Sequence, residues 1–403
     1  MNIDDQVDLL MQGTEYGDED LKKTMARELR QRLIEAEVEH CPLKVYCGFD
    51  PRTSDLHLGH TVPMRKLRQF QELGHEVTFV VGSFTSLIGD PSDQDKLRPQ
   101  LTMEQVNYNA RTYAEQAYKI LDRQKTMIRF NAEWLSELSF QEVIKLASNF
   151  SIQQFLTRDA FRKRWDNGDP IYLHETFYSL MQGYDAHALH TDVQVGGTDQ
   201  LFNIVTAARK VMTSLGDKPN IAIILGILPG TDGEVKMSKS LGNHIPLLST
   251  PEDMYGKIMS VPDKAMGAFM RLITRWTPEK IRKMEADVAS GSLHPRDLKM
   301  ELAREIVSIY HSEVEAMRAE EAFKKVFQKK DVPDEMPVFL LQPGQTVLDV
   351  LVAAGLVASK SDGRRLIEQK GVRLDGDVLE KFDAAFPHLG VLQVGKRRFT
   401  RVN

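Results

Sequence analysis

Two short runs carry the clearest chemistry in this chain: His57-Leu58-Gly59-His60 and Lys236-Met237-Ser238-Lys239-Ser240. The first follows an apolar, β-prone run (Val45, Tyr46, Cys47) that stops at Gly48 and turns through Asp50 and Pro51. It opens a segment whose apolar residues Met64, Leu67, Phe70 and Leu73 recur at helical spacing. Strand, turn and helix N-terminus in that order are where α/β folds hold anionic ligands. Two imidazoles there can donate hydrogen bonds to a phosphate, and Gly59 lets a base or ribose approach the backbone. The plainer alternative makes both histidines ordinary loop and helix-start residues. Around the second run, glycines at 230, 233 and 242 bracket a hinged loop that carries Lys236 and Lys239. Lysine is a compact point charge suited to phosphate, and on a hinged loop it engages as charge develops. A solvated loop accounts for two lysines but not for the whole string.

Three further places offer polar groups. Residues 76–82 read as a buried parallel strand, because the β-branched run does not alternate, and the segment after it ends at Gly89 and Asp90. Asp90 there is either a strand-mouth ligand or part of an Asp-Pro turn. The polar stretch 93–99 follows, with Lys96 and Arg98 free to reach a polyphosphate or simply solvated. In a helix over 173–190, Tyr178, Gln182 and Asp185 fall at i, i+4 and i+7 and share one face. A phenol, an amide and a carboxylate are costly to bury without partners, where leucines would serve for packing alone. A strand over 192–195 then runs into Gly196-Gly197-Thr198-Asp199-Gln200 and a helix over 201–214. Thr198 or Asp199 can cap that helix, and a ribose hydroxyl would explain the aspartate equally well.

The elements that must position these groups form an α/β pattern with a parallel sheet: strands near 45–47, 76–82, 126–130, 192–195 and 221–225, with helices between them. A charged helix over 21–39 precedes the sheet, and helices over 252–257, 264–273, 278–289, 295–311 and 312–329 follow it. A polar stretch with two prolines, 328–337, reads as a linker. Beyond it come short helices at 347–354 and 361–369 and a strand at 372–376. Trp134 and Trp165 read as core or interface aromatics.

Composition excludes several classes. The chain has 403 residues, 42% hydrophobic and 27% charged, without repeats or low-complexity tracts, which suits two or three globular domains. A formal net charge of -5 argues against a protein that coats nucleic acid. Residues 340–403 hold ten Lys/Arg against seven Asp/Glu, a net of +3, leaving -8 for the rest. Lys360, Arg364, Arg365, Lys370 and Arg373 gather there and can bind an RNA backbone or form a solvated face. Cys41 and Cys47 match neither a metal spacing nor a disulfide framework and read as core or near-core thiols in a reducing compartment. The acidic start is unlike a targeting peptide, and no apolar run reaches the roughly 18 residues of a membrane span. The expectation is a cytoplasmic protein.

The paired HLGH and KMSKS strings, about 180 residues apart, resemble the nucleotide-binding signatures of class I aminoacyl-tRNA synthetases. The string YCGFDP, Asp90, the Tyr178/Gln182/Asp185 face and the GGTDQ turn are similar to bacterial tyrosyl-tRNA synthetases in particular. The last sixty residues resemble the small αL RNA-binding domain appended to many of them. Leu201, which follows Gln200 where many relatives carry tryptophan, points to the longer bacterial subfamily. The resemblance implies an N-terminal helical extension (1–40), a Rossmann-like catalytic domain (41–230), and the KMSKS loop with an α-helical anticodon-side domain (231–330). A linker (331–339) and an αL-type RNA-binding domain (340–403) would follow.

It also implies roles. Tyr46 and Asp185 would read the hydroxyl of L-tyrosine. Asp90, Tyr178 and Gln182 would hold its amino group, with Gln194 nearby. Gly48, Asp50, His57, Gly59 and His60 would line the ATP site, with Cys47 and Asp199 at the ribose and Gly197, Gln200 and Met237 beside it. Lys236 and Lys239 would clamp pyrophosphate. ATP would enter with Mg2+, the second substrate would be tRNA(Tyr), and the assembly would be a homodimer. The alternative reading is an RNA-binding protein on a catalytically impaired synthetase scaffold. A ligase for another amino acid, tryptophan first, is the third.

Overall fold

A computed structural model of the chain describes residues 1–51, 55–91, 102–327, 336–395 and 398–403. Lys96, Arg98 and residues 331–335 of the expected linker lie outside the described residues. The chain divides into two compact units, Met1–Glu313 and Val314–Asn403.

The first unit opens with helices α1 (Ile3–Met11) and α2 (Glu19–Glu39), then alternates strands and helices: β1 (Lys44–Phe49), α3 (Leu58–Glu72), β2 (Glu76–Val81), α4 (Met103–Ala117) and β3 (Thr126–Phe130). The connecting stretch 131–172 folds as short helices α5 (Ala132–Leu135), α6 (Phe140–Ala147), α7 (Ile152–Leu156) and α8 (Asp159–Asn167). Next come α9 (Leu173–Ala188), β4 (Val193–Gly197), α10 (Arg209–Ser214) and β5 (Ile221–Leu225). The single helix expected over 201–214 instead starts as a π-helical stretch, Phe202–Ala208, before α10. Helices α11 (Pro251–Ser260), α12 (Met266–Ile273), α13 (Pro278–Ala289) and α14 (Pro295–Tyr310) complete the unit.

The strands pair in the order β3-β2-β1-β4-β5, all parallel. Strand order reverses direction between β1 and β4, and the crevice beyond their C-terminal ends is where open parallel sheets bind ligands. That crevice receives Gly48 and Asp50 from β1 and Gly196 and Gly197 from β4. β5 is apolar throughout and wholly buried, as a strand covered on both faces must be. Its outer edge is closed by the N-terminal segment. The Glu15 amide donates to the Ile224 carbonyl (2.8 Å) and the Gly226 amide to the Gly13 carbonyl (2.9 Å). Lys66 on α3, only 4% exposed, donates to the Leu9 and Gln12 carbonyls at 3.0 and 3.1 Å, so it caps the C-terminus of α1 from inside the protein. Burial pushes its ammonium down to about 7.

One sequence reading is corrected: Cys41 is exposed, while Cys47 is buried. Of the two readings of Trp165, its 61% exposure excludes the core and leaves the interface. Among the described residues, no helix is long and apolar enough to cross a membrane.

The second unit begins within α15 (Glu313–Phe327) and continues through β6 (Val338–Phe339), α16 (Val347–Ala353), α17 (Lys360–Glu368), β7 (Val372–Leu374), β8 (Asp377–Val378), β9 (Gly390–Val394) and β10 (Arg398–Val402). Its sheet runs β6-β10-β9-β7-β8. Val350, Leu351, Ile367, Val372, Leu392 and Val402 form the centre of its own core.

Candidate active site

The crevice at the ends of β1 and β4 is a cleft of about 700 Å³. It is lined at one end by His57, Gly59, His60, Lys236, Met237, Ser238 and Lys239, and at the other by Asp90, Asn131, Tyr178, Gln182 and Asp185. Cys47, Gly48, Asp50, Gly197, Asp199 and Gln200 lie between.

His57 is the N-cap of α3, and the two histidines cap each other's turn. Nδ1 of His57 accepts from the Gly59 amide at 3.1 Å, and Nδ1 of His60 accepts from the His57 amide at 3.2 Å. A neutral imidazole that accepts at Nδ1 carries its proton on Nε2, so both rings keep an Nε2–H to donate. Burial, reinforced for His57 by the neighbouring imidazoles and for both by Lys239 and Lys236, pushes His57 down to about 3 and His60 to about 4. The pair therefore stays neutral at physiological pH. Gly59 is required by the same arrangement, because a Cβ there would lie 2.9 Å from His57 Cε1.

The second lysine-bearing motif reaches this helix start through backbone pairing. The Leu58 amide donates to the Ile245 carbonyl (3.0 Å) and the Leu247 amide to the Leu56 carbonyl (2.9 Å), flanking a bridge between His57 and Pro246. Two strings far apart in sequence thus share one wall. Lys239 Nζ stands 3.6 Å from Asp55.

At the opposite end Asp185 is 3% exposed. Its Oδ1 accepts from Trp134 Nε1 at 2.7 Å and its Oδ2 from Asn131 Nδ2 at 3.3 Å. Burial raises its carboxyl to about 7 against the pull of these two donors. Asp50 accepts from the hydroxyls of Thr85 (2.9 Å) and Tyr178 (3.1 Å). Asp90 accepts from Gln200 Nε2 at 2.5 Å. Behind it a polar chain runs through Asn203 and Ser179 to Arg158, with links of 3.0, 2.7 and 3.1 Å. Among the described residues the buried Gln182 Oε1 has no hydrogen-bond partner, although Gln182 lines the cleft. An unpaired buried acceptor suits an incoming donor such as an ammonium. Burial, and then the charge of Asp199, raises the Cys47 thiol, so it is a neutral, small wall.

Two expected residues are not part of the cleft lining. Tyr46 is enclosed by Val80, Ala186, Ala208 and Met212, and its hydroxyl donates to the Gln182 carbonyl at 3.2 Å. It is close enough to Asp185 for that charge to act on its phenol, but it does not line the cleft. Gln194 does not line it either; its Oε1 accepts from Asn220 Nδ2 at 3.1 Å.

Sequence reasoning missed Asn131, Thr85 and Trp134 as members of the site. A buried indole N–H seeks a partner, and that is the signal Trp134 carried.

In the second unit the five basic residues are all exposed. Lys360 pairs with Asp349 (2.8 Å), Arg365 with Asp362 (3.0 Å) and Lys370 with Glu380 (4.0 Å). Arg364 lies over the Phe382 ring at 5.0 Å, and Arg373 reaches the Gly376 carbonyl at 3.4 Å.

Comparison with known proteins agrees with this geometry. Residues 39–328 match the family described as tRNA synthetases class I (W and Y). The chain is 48% identical over 363 residues to a tyrosine–tRNA ligase of Thermotoga maritima, covering 90% of each chain. It is 42% identical over 402 residues to tyrosine–tRNA ligase 2 of Clostridium acetobutylicum, covering 100% of this chain and 99% of that one. In fold it is similar to the tyrosyl-tRNA synthetase of Archaeoglobus fulgidus solved with L-tyrosine, with a TM-score of 0.60 and 23% identity over 79% of this chain and 100% of the other. Motif, cleft and kinship converge, and the chain belongs to the class I tRNA synthetase family (W and Y).

Proposed function

We propose that this chain is a tyrosine–tRNA ligase that activates L-tyrosine with ATP and transfers it to tRNA(Tyr). The observation that carries the reading is one cleft with neutral Nε2–H donors and two lysines at one end and a doubly supported, buried carboxylate at the other. The tyrosine carboxylate attacks the α-phosphorus of ATP, a Pα–O bond forms, and the bond to the bridging oxygen breaks to release pyrophosphate. A terminal ribose hydroxyl of the tRNA then attacks the carbonyl of the adenylate and displaces AMP. No side chain acts as nucleophile; the protein aligns the reactants and stabilises charge.

The roles follow the geometry. His57 and His60 donate through Nε2 to the phosphates, Lys236 and Lys239 meet the charge that develops on pyrophosphate, and Asp199 faces the ribose. Gly48, Asp50, Gly59, Gly197, Gln200 and Met237 complete the ATP surface, and Mg2+ arrives with the nucleotide as part of the substrate. Asp185 accepts the phenolic proton of the substrate, and Gln182, Tyr178 and Asp90 receive its ammonium. A carboxylate suits a phenol better than an indole, which favours tyrosine over tryptophan. Intact histidines, lysines and Asp185 argue against an impaired scaffold.

The proposed organisation is a catalytic domain (41–230), a helical anticodon-side domain (231–330) and a C-terminal RNA-binding domain (340–403). There Lys360, Arg364, Arg365, Lys370 and Arg373 meet the tRNA backbone. Exposed Phe140, Ile144, Trp165, Tyr172 and Leu173 support a homodimer, and a tRNA substrate supports the cytoplasm. Charging of tRNA(Tyr) with labelled tyrosine tests the proposal: transfer dependent on ATP supports it, and tRNA binding without transfer would replace it with the RNA-binding reading.

A further inference from the structure

Asn243 lies just past the second lysine of the KMSKS loop and is buried, although the loop it belongs to is largely exposed. Its amide is used on both sides. Oδ1 accepts from the Ser238 amide at 2.8 Å. Nδ2 donates to Asp232 Oδ2 at 2.5 Å and, more weakly, to the carbonyls of Lys236 (3.3 Å) and Val235 (3.4 Å). Its own carbonyl accepts from the Thr231 amide at 2.8 Å. Asp232 in turn accepts the Glu234 and Val235 amides at 2.8 Å each through Oδ1. One side chain thus touches the backbone immediately before Met237 and immediately after it. Gly230 makes room for it, because a Cβ there would sit 2.3 Å from the Asn243 amide. A side chain with both amide atoms engaged is a strong local constraint, and a hinged loop without it samples many conformations.

We propose that Asn243, held by Asp232, is a positioning residue that keeps Lys236 and Lys239 turned into the cleft for the activation step. This rests on the ligase reading for its rate consequences and on the loop geometry alone for the hold itself. Aligned charge at the transition state acts on the rate, so loss of the hold lowers adenylate formation and leaves tyrosine binding, at the far end of the cleft, unchanged.

The pair allows a reciprocal test. Asn243→Asp sets two carboxylates face to face, while Asp232→Asn opposes two amide NH2 groups. The double variant restores a donor–acceptor pair in the reverse sense, although the new carboxylate also faces the Lys236 and Val235 carbonyls, so recovery is partial. The full chain and the variants Asn243→Ala, Asn243→Asp, Asp232→Asn and the double swap are compared by three readouts: limited trypsin cleavage after Lys236 and Lys239, equilibrium tyrosine binding, and tyrosine-dependent ATP–pyrophosphate exchange. The expected result for Asn243→Ala is cleavage at least about fivefold faster, exchange at least about tenfold slower, and tyrosine binding within about twofold of the parent. Asp232→Asn slows exchange in the parent but speeds it in Asn243→Asp. Unchanged cleavage in Asn243→Ala, or exchange and tyrosine binding falling together, overturns the proposal. Faster cleavage in a chain whose parent shows no tyrosine-dependent exchange sustains the hold and rejects the ligase reading instead.

Discussion

The ionisation of Asp185 makes the affinity for tyrosine depend on pH near neutrality. Burial raises this carboxyl from 3.8 to about 7 in the free protein. It is then about nine-tenths ionised at pH 8 and about one-tenth at pH 6. A phenolic hydroxyl bound to a carboxylate makes a charge-assisted hydrogen bond, stronger than one to a neutral acid by about 1.4 kcal/mol, or about tenfold in affinity. Combining the two, the Kd for tyrosine rises by between about fivefold and tenfold as pH falls from 8 to 6. His57 and His60 contribute nothing to this window, since they are pushed down to about 3 and 4. Equilibrium dialysis with labelled tyrosine measures the curve, and phenylalanine is the control, because without a hydroxyl to pair the carboxylate its weaker binding does not decline as pH falls. A tyrosine Kd that is constant from pH 6 to 8, or a phenylalanine curve of the same shape, would refute the role of Asp185.

Other outcomes follow from the same geometry. Trp134→Phe removes the donor on Asp185 Oδ1 that holds its carboxyl down, so the inflection of the tyrosine curve moves above 7 and affinity at pH 7 falls. Lys239→Ala slows adenylate formation by about a hundredfold while tyrosine binding stays within about twofold, which single-turnover kinetics resolves. Burial lowers Lys66 from its ordinary 10.5 to about 7 in the folded chain, so between those values the unfolded chain binds more protons and stability rises with pH. Lys66→Met abolishes that rise, so its unfolding free energy relative to the parent, read by denaturant titration, declines from pH 7 to 10 by up to about 1.4 kcal/mol per pH unit.

Much of this architecture is legible in the residues. The runs at the centres of β1, β2 and β5 are apolar or β-branched, and the Tyr178/Gln182/Asp185 face declares itself by putting polar groups where leucines would suffice. The two lysine and histidine strings are legible because their spacing is specific. Their junction is not, because backbone bonds such as Leu58 to Ile245 involve no distinctive side chain. Tyr46 and Gln194 are placed at the substrate by family analogy alone; both are buried beside the cleft, Tyr46 against Val80 and Ala186 and Gln194 on Asn220. The second sheet was read only at β7; β6 and β8, with two residues each, are too short to carry an alternation. Trp134 shows the limit from the other side. Its size suggested packing, and only the position of Asp185 reveals what its N–H does.

The most direct test of the account is ATP–pyrophosphate exchange by the purified chain with tyrosine, phenylalanine and tryptophan in parallel. The account predicts exchange with tyrosine and at most a trace with the other two, because unpaired buried polar groups would disfavour both. Exchange with tryptophan in place of tyrosine, or none with any of the three, would contradict it.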